Sequence, residues 1–278
     1  INVVTGMPAE IGAALTQSKT VRKLSFTGST RVGALLMAQC APTIKKLSLE
    51  LGGNAPFIVF DDSDLDAAVR GCVASKFRNG GQTCVCSNRI LVQAGVYEAF
   101  AEKLAAKVNA MRVGAGDAEG TEIGPMINED AVVKIDIHVQ DALHKGAQIV
   151  GDRSIAPEGA TYVAPVVLKD ATAQMCLASE ETFGPVAPLF RFNTEQEAIT
   201  LANDTPYGLA AYFYTSDHAR AWRLGEALEA GLVGLNVGVM ACDVAPFGGV
   251  KQSGLGREGG TEGIEDFLET KAFHMGGL

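Results

Sequence analysis

The 278-residue chain reads as an α/β protein built on a parallel-rich sheet. Short apolar runs of strand length alternate with helix-length segments, which is the rhythm of βαβ units. Phe57-Ile58-Val59-Phe60 is apolar without a break, as a strand buried on both faces must be. Composition agrees, since hydrophobic residues make up 47% of the chain and charged residues 20%, an ordinary balance for a globular fold.

Residues 1–4 read as a strand, 9–15 as a helix, 21–26 as a strand, 31–40 as a helix and 45–51 as a strand. The rhythm then repeats with a buried strand over 57–60. Asp61, Asp62, Ser63 and Asp64 offer N-caps for a helix over 65–77, because their short oxygens accept from the free N–H groups of a first turn. Residues 89–93 form a strand, and 96–111 an amphipathic helix with Phe100, Leu104 and Val108 at four-residue spacing. A Gly-rich loop over 113–126 leads to a helix over 128–145 and a short strand over 147–150. Residues 162–168 are extended and broken by Pro165. Strands follow at 187–192, 211–215 and 232–237, with helices at 195–203 and 218–230 between them. Beyond Pro246 the chain turns Gly-rich and polar, and ends with a helix near 263–267 and a final extended piece.

The net charge of −9 and the pI near 5.0 argue against nucleic acid or an anionic membrane surface as partner, since either favours a basic face. No run of about 18 apolar residues suggests a transmembrane helix. The six cysteines are too sparse for a disulfide framework, so a reducing, cytoplasmic setting is expected. The four histidines show no metal spacing, and no metal is expected. The opening Ile1-Asn2-Val3-Val4 lacks Met and already reads as strand, which suggests the middle of a larger protein.

Two Gly-rich turns carry the chemistry. Phe77-Arg78-Asn79-Gly80-Gly81-Gln82-Thr83-Cys84 sets a thiol behind a turn whose N–H groups can face a reacting oxygen. A cysteine attacks only as thiolate, so its surroundings must lower its pKa or supply a base. On composition alone a buried structural cysteine is the ordinary case. Leu49-Glu50-Leu51-Gly52-Gly53-Asn54-Ala55-Pro56 sets a carboxylate at a strand end, where it can face a cleft and take a proton from water. Thr27-Gly28-Ser29-Thr30-Arg31-Val32-Gly33 follows a strand and opens a helix, a place where free N–H groups bind phosphate. Its G-x-x-x-x-G spacing is neither the usual dinucleotide fingerprint nor a P-loop, so alone it is a weak signal.

The Glu50 and Cys84 runs, with Pro246-Phe247-Gly248-Gly249-Val250-Lys251-Gln252-Ser253-Gly254, resemble three signatures of the aldehyde dehydrogenase family, nearest to its succinate-semialdehyde branch. The resemblance implies that family's fold: the end of a Rossmann-type cofactor domain over residues 1–52, an α/β catalytic domain over 53–253, and a tail over 254–278. It places an oligomerisation strand at 271–275, for a homodimer or homotetramer. It implies oxidation of a small aldehyde by NAD or NADP, with Cys84 as nucleophile and Glu50 as the base that activates water against a thioester. Gly28, Ser29 and Gly33 are then expected beside the dinucleotide pyrophosphate. Glu180-Glu181-Thr182-Phe183-Gly184-Pro185-Val186 matches a further family segment, in which Glu181 holds the nicotinamide ribose and Phe183 packs near the ring.

In the semialdehyde branch an arginine at the place of Arg78 grips the far carboxylate of the substrate, a task a guanidinium fork suits. The branch's serine five residues before Pro-Phe-Gly-Gly is Ala241 here, which leaves glutarate semialdehyde and other ω-carboxy aldehydes open beside succinate semialdehyde. Cys86 stands where some members form a reversible disulfide with the nucleophile. Two residues of extended chain span about 7 Å, so the loop would have to bend. Family residues upstream of Ile1 would complete the cofactor site, so the chain by itself is expected to hold half of that site and little activity. A general aldehyde dehydrogenase without acid preference, an inactive assembly module, and an enzyme that passes the acyl group to coenzyme A are the rival readings. Glu50 speaks against the last, because an acyl transferase gains nothing from a hydrolytic base.

Overall fold

The computed structural model describes residues 1–152, 155–159 and 161–277. The first unit comprises α1 (Pro8–Gln17), β1 (Lys23–Thr27), α2 (Thr30–Cys40) and β2 (Lys46–Glu50). β1 and β2 run parallel, in register from Lys23↔Lys46 to Thr27↔Glu50. The N-cap of α2 is Ser29, whose Oγ accepts from the Val32 N–H at 3.4 Å. Residues 1–4, expected as a strand, form none. Ile1, Val3 and Val4 are exposed, and an apolar run becomes a strand only where a neighbour pairs with it.

The chain changes sheets after β2. It continues through β3 (Ala55–Val59), α3 (Leu65–Lys76), β4 (Ser87–Gln93) and α4 (Tyr97–Asn109). Then come α5 (Glu129–His144), β5 (Gln148–Ile149), β6 (Val166–Lys169) and α6 (Cys176–Ser179). The unit closes with β7 (Val186–Phe192), α7 (Glu195–Asn203), β8 (Ala210–Tyr214), α8 (His218–Ala227) and β9 (Leu232–Leu235). These strands make a sheet in the order β5-β6-β7-β4-β3-β8-β9, parallel except for β5 against β6.

Helices cover both faces, so the central strands are buried throughout. Phe57 and Val59 of β3 face one core with Phe100, Leu104 and Val108 of α4. Ile58 and Phe60 alternate to the other core, with Ile135 and Val139 of α5 and Leu224 of α8. Asp64 caps α3, its Oδ1 accepting from the Ala67 N–H at 3.0 Å. Asn128 caps α5, its Oδ1 accepting from the Ala131 N–H at 2.9 Å.

Differences from expectation lie mostly at element ends. The helix expected over 218–230 stops at Ala227, where the Asn203 side chain takes over the chain: its Nδ2 donates to Ala227 O at 2.8 Å and its Oδ1 accepts from the Glu229 N–H at 3.0 Å. Only Val166–Lys169 of the extended stretch near Pro165 joins the sheet. α6 was not anticipated, being too short to show a period. β10 (Gly254–Leu255) was not anticipated either; it returns to the small sheet and pairs antiparallel with β2, Gly254 opposite Glu50. The helix near 263–267 is a 3-10 turn over Glu262–Phe267. Residues 271–275 form no strand within this chain, and Phe273 and Met275 are exposed.

Candidate active site

Glu50 is the last residue of β2, between Thr27 of β1 and Gly254 of β10. It is 5% exposed, and its Oε2 has no hydrogen-bond partner among the described residues. Burial, and then repulsion from Glu258, outweigh the pull of Arg257 and push the carboxyl up to about 7. A carboxyl that titrates near neutrality both takes and gives up a proton readily. Glycine at 248 leaves room for it, since a Cβ there would lie 3.1 Å from Glu50 Oε1.

Cys84 follows a tight turn just before β4. Asn79, Gly80 and Gly81 all have positive φ there (52°, 63° and 79°). Gly81 is forced for a second reason: a Cβ would meet the Gly184 carbonyl oxygen at 2.2 Å. Gly53 likewise lets the β2–β3 turn close on Cys84, because its Cβ would fall 2.5 Å from the Cys84 carbonyl oxygen. Gln82 fastens the turn. Its Oε1 accepts from the Ile127 N–H at 2.9 Å, and its Nε2 donates to Asn79 O at 3.1 Å.

Burial first, and then the negative charges of Glu181 and Glu50, push the Cys84 thiol up to about 11. The N–H groups of Cys84 and Val85 reach the sulfur and pull the other way. The thiol is therefore mostly protonated near neutral pH, and its reactivity depends on the charge of the two carboxylates beside it.

Cys84 and Glu50 border one cleft of about 670 Å³, together with Gly28, Ser29, Glu181 and Phe183. Glu181 is held inward, its Oε1 accepting from the Gly53 N–H at 3.1 Å, and burial raises its pKa. Gly33 does not border the cleft; it packs α2 onto the chain after β2, where a Cβ would strike Leu51 Cδ2 at 2.5 Å. Lys134 of α5 also borders the cleft, and its Nζ donates to Glu181 O at 2.6 Å. Neither Lys134 nor the fastening role of Gln82 was anticipated, because each depends on a contact between segments more than forty residues apart.

Arg78 is exposed and lies outside this cleft. It borders a second, narrow cleft with Val85 and Ala241, and no carboxylate pairs with it among the described residues. Cys86 is buried and, like Cys84, a free thiol. The Cys86 N–H donates to Thr83 O at 3.0 Å, so the chain between the two thiols is bent rather than extended.

The sequence model of the Aldehyde dehydrogenase family matches residues 1–273. The 3-sulfolactaldehyde dehydrogenase of Pseudomonas putida is 58% identical over 277 residues, which is 100% of this chain and 57% of the relative. The NADP-dependent succinate-semialdehyde dehydrogenase of Escherichia coli is 57% identical over 99% of this chain and 57% of its own length. A glutarate-semialdehyde dehydrogenase of Pseudomonas putida is 57% identical over 98% of this chain and 56% of its own length. The chain thus spans little more than half the length of these relatives. The crystal structure of an aldehyde dehydrogenase from Brucella melitensis superposes with a TM-score of 0.93 at 63% identity, over 96% of this chain and 55% of that one. Betaine aldehyde dehydrogenase from Staphylococcus aureus in complex with NAD+ superposes with a TM-score of 0.91 at 36% identity, over 96% and 54%. The chain belongs to the aldehyde dehydrogenase family.

Proposed function

We propose that the protein carrying this chain oxidises an aldehyde with an acid group at its far end, using NAD or NADP, and releases the carboxylic acid. The observation that carries this reading is the meeting of the Cys84 thiol and the Glu50 carboxyl in one cleft with Gly28, Ser29, Glu181 and Phe183. These residues fit a dinucleotide. The first turn of α2 offers N–H groups behind Gly28 and Ser29 for a pyrophosphate. The Glu181 carboxylate can accept from a ribose diol, and the Phe183 ring borders the same space. When bound, the nicotinamide supplies the acceptor for the hydrogen and electron pair leaving the aldehyde carbon.

The Cys84 thiol gives up its proton to solvent, and Sγ, now thiolate, attacks the carbonyl carbon. The Cys84 and Val85 N–H groups, which act on the sulfur, are the donors we assign to the oxygen that gains charge. Once the carbon is oxidised, the acyl group stays on Cys84 as a thioester. Glu50 then takes a proton from water, the resulting hydroxide adds to the thioester carbon, and the Cys84 thiolate leaves.

Arg78 is the residue we assign to the far acid group, since a guanidinium matches either a carboxylate or a sulfonate. The aldehydes named for three relatives, 3-sulfolactaldehyde, succinate semialdehyde and glutarate semialdehyde, all carry such a group. Residues 1–52 would close a dinucleotide-binding domain, 53–253 would be the catalytic domain, and the tail over 254–278 would serve a homodimer or homotetramer.

The test is production of reduced nicotinamide from succinate semialdehyde, glutarate semialdehyde and propanal. The acid aldehydes should be preferred, and Arg78→Ala should cost them about 10–100-fold in kcat/KM while sparing propanal. Absence of reduced nicotinamide with every aldehyde would refute the reading.

A further inference from the structure

The segment 180–183 brings Glu181 and Phe183 to the cleft in a conformation it would not adopt alone. Phe183 has φ 56°, a left-handed backbone that a residue with a large side chain holds only when its surroundings impose it. Those surroundings include α5. The segment lies directly on that helix, since a Cβ on Gly184 would fall 2.4 Å from Ile135 Cδ1.

His138 lies one turn further along α5 and is 2% exposed. Both of its ring nitrogens meet the segment. Nδ1 lies 3.1 Å from Thr182 Oγ1, and Nε2 lies 3.4 Å from Glu180 Oε2. Glu180 and Thr182 are the chain neighbours of Glu181 on either side. One buried imidazole therefore holds the residues before and after the carboxylate that faces the cleft.

We propose that His138 is a positioning residue, which grips Glu180 and Thr182 and so aims Glu181 and Phe183 at the nicotinamide end of the cofactor. This inference rests on the cofactor reading above. The tautomer follows from the partners. An ionised Glu180 only accepts, so Nε2 carries the hydrogen, and Nδ1 accepts from the Thr182 hydroxyl. Burial first and then the Lys134 cation lower the ring's pKa, against Glu180 and Asp141, which raise it. The Thr182 contact contributes more, since Thr182 is 2% exposed whereas the Glu180 side chain is 61% exposed and screened by solvent.

Two activities separate positioning from general damage. Oxidation of an aldehyde needs the cofactor, whereas hydrolysis of an activated phenyl ester needs only Cys84 and Glu50. His138→Ala should raise the KM for the oxidised cofactor about tenfold and leave ester hydrolysis unchanged. His138→Asn keeps an acceptor near the Nδ1 position and should restore most of the loss. Thr182→Val removes the same buried bond from the other side at similar volume, and keeps the test available should His138→Ala fail to fold. An unchanged cofactor KM in both Ala and Val variants, or a parallel fall in ester hydrolysis, overturns the proposal. Wild-type protein that hydrolyses the ester but never saturates with cofactor would overturn the oxidoreductase reading with it. Normal saturation of the wild type with both variants indifferent overturns this inference alone.

Discussion

Glu50 ends β2 in surroundings that disfavour its own charge, and that conflict has a measurable signature. Its folded pKa of about 7 lies above its ordinary 4.5, so the folded state holds the proton that the unfolded state has already lost. Stability contributed by the protonated carboxyl is fully present below 4.5 and is lost as pH rises through about 7. The proposed catalysis runs the other way, because only the ionised form takes a proton from water. Thioester hydrolysis in single turnover should therefore rise through pH 7 and level off above it. Glu50→Gln should lower that rate about 10²–10⁴-fold and flatten the profile. The same substitution removes one of the charges that raise the Cys84 thiol. Alkylation of Cys84 by iodoacetamide at a fixed, mildly alkaline pH should then be faster in Glu50→Gln than in the wild type, and an equal or slower rate would contradict the coupling.

At the scale of elements, glycines show where backbone must touch backbone. The β2–β3 turn closes on the Cys84 turn through Gly53, whose Cβ would sit 2.5 Å from the Cys84 carbonyl oxygen. Neither backbone can yield as a flexible side chain would. Gly53→Ala should cost about 1–3 kcal/mol of stability by denaturant unfolding, and displace Cys84 enough to lower kcat about tenfold or more. Gly225 is the contrasting case. It lies within α8 on the exposed surface, and a Cβ there would meet nothing within 4 Å. Gly225→Ala should stabilise the protein by about 0.5–1 kcal/mol through helix propensity, with kcat unchanged. Both residues are simply glycine in the sequence, and the opposite signs come from what lies across from them.

Across the whole molecule, the alternation of helix and strand was legible because each long segment carries its own period. Phe100, Leu104 and Val108 announce the buried face of α4 without help from elsewhere. The order β5-β6-β7-β4-β3-β8-β9 was not legible, since strand neighbours are chosen by packing of the assembled layers. Nor was the return of Gly254–Leu255 to flank Glu50, which depends on a partner some two hundred residues away. The site divides in the same way. Cys84 and Glu50 stand inside recognisable motifs, but Gln82 and Lys134 reach the site only through folded contacts. His138, with no metal spacing to mark it, looks like any helix histidine until α5 is laid against Thr182.

The central claim is that the acyl group rests on Cys84 and leaves through water activated by Glu50. Intact-mass and peptide mass spectrometry of Glu50→Gln, after incubation with oxidised cofactor and succinate semialdehyde, tests it most directly. The account predicts that a succinyl adduct accumulates on the Cys84 peptide and is absent from Cys84→Ala. Reduced cofactor formed without any adduct on Cys84, or an adduct mapped to Cys86 or another residue, would contradict it.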